Sequence, residues 1–276
     1  MKRIISIQDI SALGKCSLTV ALPILSAMGV ECAVVPTAVL STHTQFQGFT
    51  FCDLTDEMEP IAAHWKSLGL RFDAVYTGYL GSFRQVDIVK SYFRDFGEGA
   101  KIIVDPAMAD NGRLYAGFGP EFPQKMAELL EGADLVLPNL TEACFLLGEE
   151  YRSEYDRPYI LRLLEGLLKK GAKTAALTGV SFEAGRLGVV SLDAATGTFS
   201  EYFTEHLPVS FHGTGDIFSS AAVGALVRGL SVPESLSLAA DYTVECIRRT
   251  LAEENHNWYG VNFEEATPYL VKRLGM

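Results

Sequence analysis

His212-Gly213-Thr214-Gly215-Asp216 opens a stretch rich in small residues (Ser219, Ser220, Ala221, Ala222, Gly224) that reads as a helix from Asp216 to Arg228. Two glycines let successive backbone N–H groups turn toward one point, which makes an anion cradle at a helix N-terminus. Asp216, on the first turn, can then face an incoming hydroxyl while the cradle holds a phosphoryl group. The residue types alone leave a second possibility open, in which Asp216 only caps the helix and the glycines only permit the turn. The stretch is not a dinucleotide fingerprint, because Phe218 stands where the third glycine would be. Nor does the chain carry a Walker A loop, since Gly14-Lys15-Cys16 lacks both the earlier glycine and the Ser/Thr.

Upstream of this stretch, short β-branched runs alternate with helical patterns. Strands are expected at Arg3 to Ile7, Cys32 to Pro36, Ala74 to Tyr76, Ile102 to Val104, Leu135 to Leu137 and Thr174 to Leu177. Each later run is followed by Gly, Pro, Asn or Asp and then by a helix. A helix is expected from Cys16 to Met28, ending at Gly29, and another starting at Thr55, with Asp56, Glu57 and Glu59 at its positive end. Alternation of this kind implies an α/β fold, a mostly parallel sheet with helices on both faces. Leu187 to Ser191 and Thr198 to Phe203 depart from it and read as an antiparallel hairpin at a sheet edge. After Gly213 the chain is nearly all helical, with Pro233 to Leu251 and Phe263 to Leu274 following Asp216 to Arg228. With no repeat, low-complexity tract or linker, residues 1–276 are expected to form a single domain.

A formal charge of −11, from 23 Lys plus Arg against 34 Asp plus Glu, repels phosphate backbones and excludes general nucleic-acid binding. It does not exclude one small anion held by backbone N–H groups. Five scattered cysteines without a C-x-x-C pair read as free thiols of a reducing compartment and speak against structural zinc. The apolar run from Thr19 to Leu40 is broken by Pro23, Gly29, Glu31 and Pro36, so no membrane span is expected, and the protein is expected to be soluble and cytoplasmic.

Ligands of an open parallel sheet bind beyond the carboxyl ends of its strands. The polar residues that follow the apolar runs are therefore the candidates: Asp9, Gly78-Tyr79, Asp105-Pro106, Pro138-Asn139 with Glu142, and Thr178-Gly179. Any one of them can be a turn or a cap; together they can line one cleft.

At this point the chain resembles the ribokinase-like superfamily, a three-layer fold with a mostly parallel central sheet, on the strength of Gly213-Thr214-Gly215-Asp216 late in the sequence. It resembles the pyridoxal kinase branch in Ser6-Ile7-Gln8, Ser41-Thr42-His43-Thr44-Gln45, Thr77-Gly78-Tyr79-Leu80-Gly81, Asp105-Pro106-Ala107-Met108 and Pro138-Asn139-Leu140-Thr141-Glu142. The matches keep the family's order from Ile4 to about Leu251. The resemblance implies transfer of the γ-phosphoryl group of ATP to the hydroxymethyl group of a B6 vitamer. It gives Asp216 the role of base, and the backbone of Gly213, Thr214 and Gly215 that of anion hole. Asp105 and Glu142 match acidic positions that organise Mg²⁺, partly through water. Asn139 and Thr178 match positions on the nucleotide side, and Thr44 and Tyr79 match positions lining the vitamer pocket beside His43. A monovalent cation such as K⁺ and a homodimer are implied as well.

Asp9 departs from the pattern, because the resemblance puts a ring-contacting serine there. A carboxylate at that place suits a protonated ring nitrogen, an amine-bearing vitamer or an aminopyrimidine; it can also simply bind backbone. The stretch from Asp110 to Phe118, with Gly112, Tyr115 and Gly117, suits a flap over the nucleotide or an ordinary surface loop. The rival functions are a hydroxymethylpyrimidine or sugar kinase of the same fold and a non-catalytic vitamer-binding protein. The sugar branch's early Gly-Gly motif is missing, and binding alone would not need a base at Asp216.

Overall fold

The apolar runs resolve into strands and the stretches between them into helices. In order they are β1 (Lys2–Leu13), α1 (Leu18–Ala27), β2 (Val30–Thr42), β3 (Phe51–Asp53), α2 (Thr55–Ser67), β4 (Ala74–Thr77), α3 (Phe83–Phe96), β5 (Lys101–Val104), β6 (Ala109–Asp110), β7 (Arg113–Leu114) and α4 (Phe122–Met126). There follow β8 (Leu135–Val136), α5 (Leu140–Leu147), α6 (Arg157–Lys169), β9 (Thr174–Val180), β10 (Arg186–Asp193), β11 (Phe199–Glu205), α7 (Thr214–Val227), α8 (Val232–Leu251) and α9 (Phe263–Arg273). The structure is a computed structural model and describes residues 1–276.

Nine strands form one sheet in the order β11-β10-β9-β8-β5-β4-β1-β2-β3, and β6 and β7 pair separately. The six strands from β9 to β2 run parallel, and antiparallel strands close both edges. The chain lays β2 on one side of β1, then crosses to build β4, β5, β8 and β9 on the other. That reversal is a topological switch point, and a crevice opens there beyond the strand ends.

Alternate residues of the central strands feed two cores, as a pleat with period 2 requires. Ile5, Val75, Val104 and Leu177 pack with α2 to α6, while Ile4, Tyr76, Ile103 and Ala176 pack with α1, α7, α8 and α9. Covering on both faces explains why the strands are unbroken apolar runs rather than alternating ones. Helix α7 is buried along its length from Ile217 to Val227, and its small residues permit close approach: a Cβ on Gly224 would meet Met28 Sδ at 2.4 Å.

The first two strands differ from the sequence reading. β1 continues through Gln8 and Asp9 to Leu13, so Asp9 lies within the strand rather than after it. β2 continues through Pro36 to Thr42. Past Thr77 and Gly78 the two run on as a ribbon beyond the sheet, where β1 no longer has β4 beside it and β2 gains β3 on its outer side. Their apolar pattern stops because they enter a polar cleft, although the backbone pairing does not. Pro36 is tolerated because β3 joins β2 only from Ala38 onward, so no sheet partner needs its missing N–H on that side. A register shift between Gln8 and Ile10 locally bends the ribbon at Asp9. The short strand β3 had no signal in the sequence strong enough to separate it from a loop. All five cysteines are free, and no helix is long and apolar enough to cross a membrane.

Candidate active site

A cleft of about 700 Å³ opens at the switch point, lined by Asp9, His43, Thr44, Tyr79, Asp105, Asn139, Glu142, Thr178, Gly213, Thr214, Gly215 and Asp216, while Gly78, Pro106 and Pro138 among the candidates do not reach it. Sequence reasoning missed others in the same wall, notably Ser11, Ser17, Arg113 and His212 as a side chain.

The floor is the start of α7. Gly213 caps it in the left-handed region, at φ 81°, and a Cβ there would meet the Lys15 carbonyl oxygen at 2.1 Å. Glycine is therefore required twice over, by backbone conformation and by contact with the loop before α1. At Gly215 the situation is the reverse: a Cβ would meet nothing within 4 Å, and the residue is exposed to the cleft. The space before the first free N–H groups of α7 is open, which suits an anion. The Thr214 hydroxyl donates to the Phe211 carbonyl at 3.1 Å, so Thr214 offers the cleft its backbone rather than its side chain.

Asp216 stands half-buried beside this cradle. Burial, with Asp105 and Asp9 nearby, pushes its carboxyl up to about 8, and the Ser17 backbone N–H pulls it back. A helix N-terminus alone would stabilise the carboxylate and make Asp216 a weak base; here removal from water and neighbouring negative charge outweigh it. The supporting loop is strained, with Lys15 at φ 52° and Ser17 at φ 50°. Such backbone costs about 1–3 kcal/mol per residue and survives where its surroundings over-determine it. Here a Cβ on Gly14 would meet His43 Cδ2 at 2.7 Å and one on Gly260 would meet Lys15 Cβ at 2.7 Å, so the loop is packed on both sides.

Asp105 and Glu142 are both buried, and the Ser219 hydroxyl donates to Asp105 Oδ2 at 2.6 Å. Glu142 accepts from the Met108 N–H (3.2 Å) and the Asn139 N–H (2.9 Å), the latter as one half of the capping box that starts α5. Burial raises both carboxyls, and Asp105 raises Glu142 further, since no protein cation offsets the pair. No third His, Cys, Asp or Glu completes a metal cluster. Two unneutralised carboxylates without a third ligand fit Mg²⁺, a hard cation that keeps most of its waters and takes phosphate oxygens, and do not fit a structural transition-metal site.

Asn139 is more committed than the sequence suggests. Its Oδ1 accepts from the Glu142 N–H at 2.9 Å and its Nδ2 donates to the Ala109 carbonyl at 2.8 Å. It therefore ties the acidic pair to the β6–β7 hairpin. The Asp110 to Phe118 stretch is that hairpin and its sequel, turned by Asn111 (φ 50°) and Gly112 (φ 73°). Gly112 N–H donates to Thr141 Oγ1 at 3.0 Å, and Phe118 lies against Tyr79, ring centroids 5.5 Å apart. Beyond Thr178, the far end of the cleft is lined by Leu187, Val209, Ala240, Val244 and Ile247, an apolar slot suited to a flat base.

On the other side rings close the cleft. His43 Nδ1 accepts from the Gln45 N–H (3.2 Å), which leaves Nε2–H to donate to the Tyr259 carbonyl (3.1 Å) and fixes the neutral tautomer. His212 packs on it at 4.1 Å between centroids, and burial beside His43 lowers His212 to about 4. Phe46 and Trp258 extend the cluster. Tyr79, raised to about 12 by burial and by Asp9, stays a neutral phenol. Thr44 sits exposed at the mouth.

Comparison with known proteins bears on this geometry. The sequence profile of the phosphomethylpyrimidine kinase family matches residues 22–260. A pyridoxal kinase PdxY of Rubrobacter xylanophilus is 30% identical over 259 residues, covering 90% of this chain and 87% of its own. A Bacteroides thetaiotaomicron structure named for phosphomethylpyrimidine kinase and crystallised with pyridoxal superposes at TM-score 0.92, with 40% identity over 100% of this chain and 96% of that one. The pyridoxal kinase of Lactobacillus plantarum superposes at 0.90, with 31% identity, over 99% and 98%.

Proposed function

The chain belongs to the phosphomethylpyrimidine kinase family, and from that premise we propose that it transfers the γ-phosphoryl group of ATP to the hydroxymethyl group of a B6 vitamer. One observation carries the reading: a buried, unneutralised acidic pair and a carboxylate raised to about 8 meet at an open helix N-terminus inside one cleft. Binding alone does not call for a base at Asp216 beside the anion cradle. The 40% identical structure crystallised with pyridoxal favours a pyridine substrate over a hydroxymethylpyrimidine.

Phosphoryl transfer mostly asks for alignment and charge neutralisation. The N–H groups of Thr214 and Gly215 hold the oxygens of the transferring group, and Asp216 accepts the hydroxyl proton as the bond to phosphorus forms. A carboxylate with its pKa raised is the stronger base, which suits a hydroxyl that ionises only late. Mg²⁺, when bound near Asp105 and Glu142, neutralises phosphate charge. Ser219 and the Asn139 cap hold those two carboxylates in place, and the apolar slot beyond Thr178 receives the adenine. His43, Thr44, Tyr79 and Asp9 enclose the vitamer ring. The reading extends to a homodimer as the working unit, which light scattering tests.

The decisive experiment measures ADP release with pyridoxal, pyridoxamine, pyridoxine and hydroxymethylpyrimidine in parallel, with and without Mg²⁺. Turnover of at least one vitamer that requires Mg²⁺ is expected. Folded protein that binds ATP and turns over none of the four would make it a binding protein or a kinase for another alcohol.

A further inference from the structure

Six carboxylates line the cleft, against a single arginine, Arg113. Asp105, Glu142 and Asp216 have roles above. Asp110 is spent on its own turn, accepting from the Asn111 N–H at 2.8 Å and from Asn111 Nδ2 at 3.0 Å, and Glu205 pairs with Arg248 at 2.9 Å. Asp9 is left over.

Asp9 is only 4% exposed. The Ser11 hydroxyl donates to its Oδ2 at 2.9 Å. The groups around it are Ser11 on its own strand, Cys16 and Ser17 from the loop before α1, Tyr79 after β4 and Asp216 on α7. These are hydroxyls, a thiol, a phenol and a carboxylate, and none is a cation. Burial raises the Asp9 carboxyl, and only the serines and its own backbone lower it. A buried carboxylate that opens on a ligand cleft without a protein cation is satisfied best by a cation on the ligand.

Its position says where on the ligand. Asp9, Ser17 and Asp216 line the cleft together, and both acids lie close enough to Ser17 to interact with it. The cation therefore sits close to the hydroxymethyl group that Asp216 receives. In an aminomethyl vitamer the ammonium is carried on the ring carbon directly next to the one bearing that group, whereas the ring nitrogen is one atom further round. Resting on the vitamer reading above, we propose that Asp9 is a specificity residue that pairs with the ammonium of an aminomethyl group adjacent to the phosphorylated hydroxymethyl, so that the amine vitamer is preferred to the aldehyde and the alcohol.

The test is kcat/KM for pyridoxamine, pyridoxine and pyridoxal in the parent, Asp9→Asn and Asp9→Ser. All three substrates carry the same ring nitrogen, so a contact to it would change them alike. The parent is expected to favour pyridoxamine over pyridoxal by about tenfold, the scale of one charge-assisted hydrogen bond. Asp9→Asn keeps the shape and should cut pyridoxamine at least about ten times more deeply than pyridoxine, through KM rather than kcat; Asp9→Ser should repeat that ratio if the amide packs badly. Equal losses across the three substrates would overturn the proposal in favour of ring-nitrogen contact or structural damage. A deeper loss with pyridoxal would overturn it in favour of a protonated Asp9 donating to the aldehyde. A parent that phosphorylates pyridoxal and pyridoxine but prefers them to the amine would sink this proposal alone, while a parent inactive on all three would sink the vitamer reading with it.

Discussion

The two walls of the cleft are built by opposite means. The wall proposed above for the nucleotide is made of caps and turns: the capping box at Asn139 and Glu142, the Asn111-Gly112 hairpin held on Thr141, and free N–H groups at Gly213 to Gly215. The wall proposed for the substrate is made of side chains delivered from far apart, namely Asp9 and Ser11 on the ribbon, His43, Tyr79 and His212, with Trp258 and Tyr259 behind them. A phosphate is recognised by fixed dipoles that any sequence with the right backbone can supply. A substituted ring is recognised by chemical identity, which only side chains carry.

The largest expected effect falls where the walls meet. Asp216→Asn should lower kcat by about 10²–10⁴-fold, the usual worth of a general base, while ADP affinity stays within about threefold. A variant that keeps its rate would reduce Asp216 to a helix cap and leave the walls without a shared centre. Gly213→Ala comes next. It places a Cβ about 2 Å from the Lys15 carbonyl and strains a backbone at φ 81°, so kcat should fall by about a hundredfold through displacement of the cradle, with a lower melting temperature. Unchanged kinetics would mean that the cradle tolerates movement and that the nucleotide wall is less fixed than its geometry implies.

A pH experiment isolates the acidic floor from both walls. Asp216, Asp105 and Glu142 are all raised in the folded protein, whereas unfolded carboxyls titrate near about 4. Between that value and about 8 the folded state holds protons that the unfolded state has released, so stability of the metal-free protein falls as pH climbs through this window. Melting curves from pH 5 to 8 should show a declining midpoint, and Glu142→Gln should flatten the decline while raising the Mg²⁺ concentration needed for activity. A midpoint that rises with pH in both proteins would mean that a cation of the protein already compensates the floor. The smallest effect is assigned to Gly112→Ala, whose Cβ would meet Tyr151 Cδ1 at 2.9 Å in a residue at φ 73°. Shifting the hairpin should raise the KM for ATP severalfold and leave the vitamer KM alone; a change in the vitamer KM instead would show that the hairpin serves the substrate wall through Phe118 and Tyr79.

The same division governs what the sequence made legible. The layered parallel sheet and the edge hairpin could be read from continuous apolar runs, because burial on both faces leaves that trace in composition. Gly213-Asp216, Asn139-Glu142 and Asp105 could be read because caps and turns demand particular residue types at short spacing. Ser11, Ser17 and His212 could not be assigned, since their roles arise from the ribbon's overshoot and from packing between segments some 200 residues apart. The strand ends at Leu13 and Thr42 were invisible for a related reason: polar residues were lining a cleft while the backbone kept its pairing.

The loop that supports Asp216 is gripped from the far end of the chain: Gly260 lies against Lys15, whose Nζ donates to Glu264 at 2.9 Å and to Asn262 at 3.2 Å. A growing polypeptide can lay down its sheet and most of its helices while this grip is still missing. The grip therefore closes late in biosynthesis, after residue 264 has cleared the ribosome, and long-range closure of this kind is slow. Partial chains ending before that point would lack Val261, Phe263, Ala266 and Leu270 as well, so the support of the Asp216 loop and the closing of the second core arrive together.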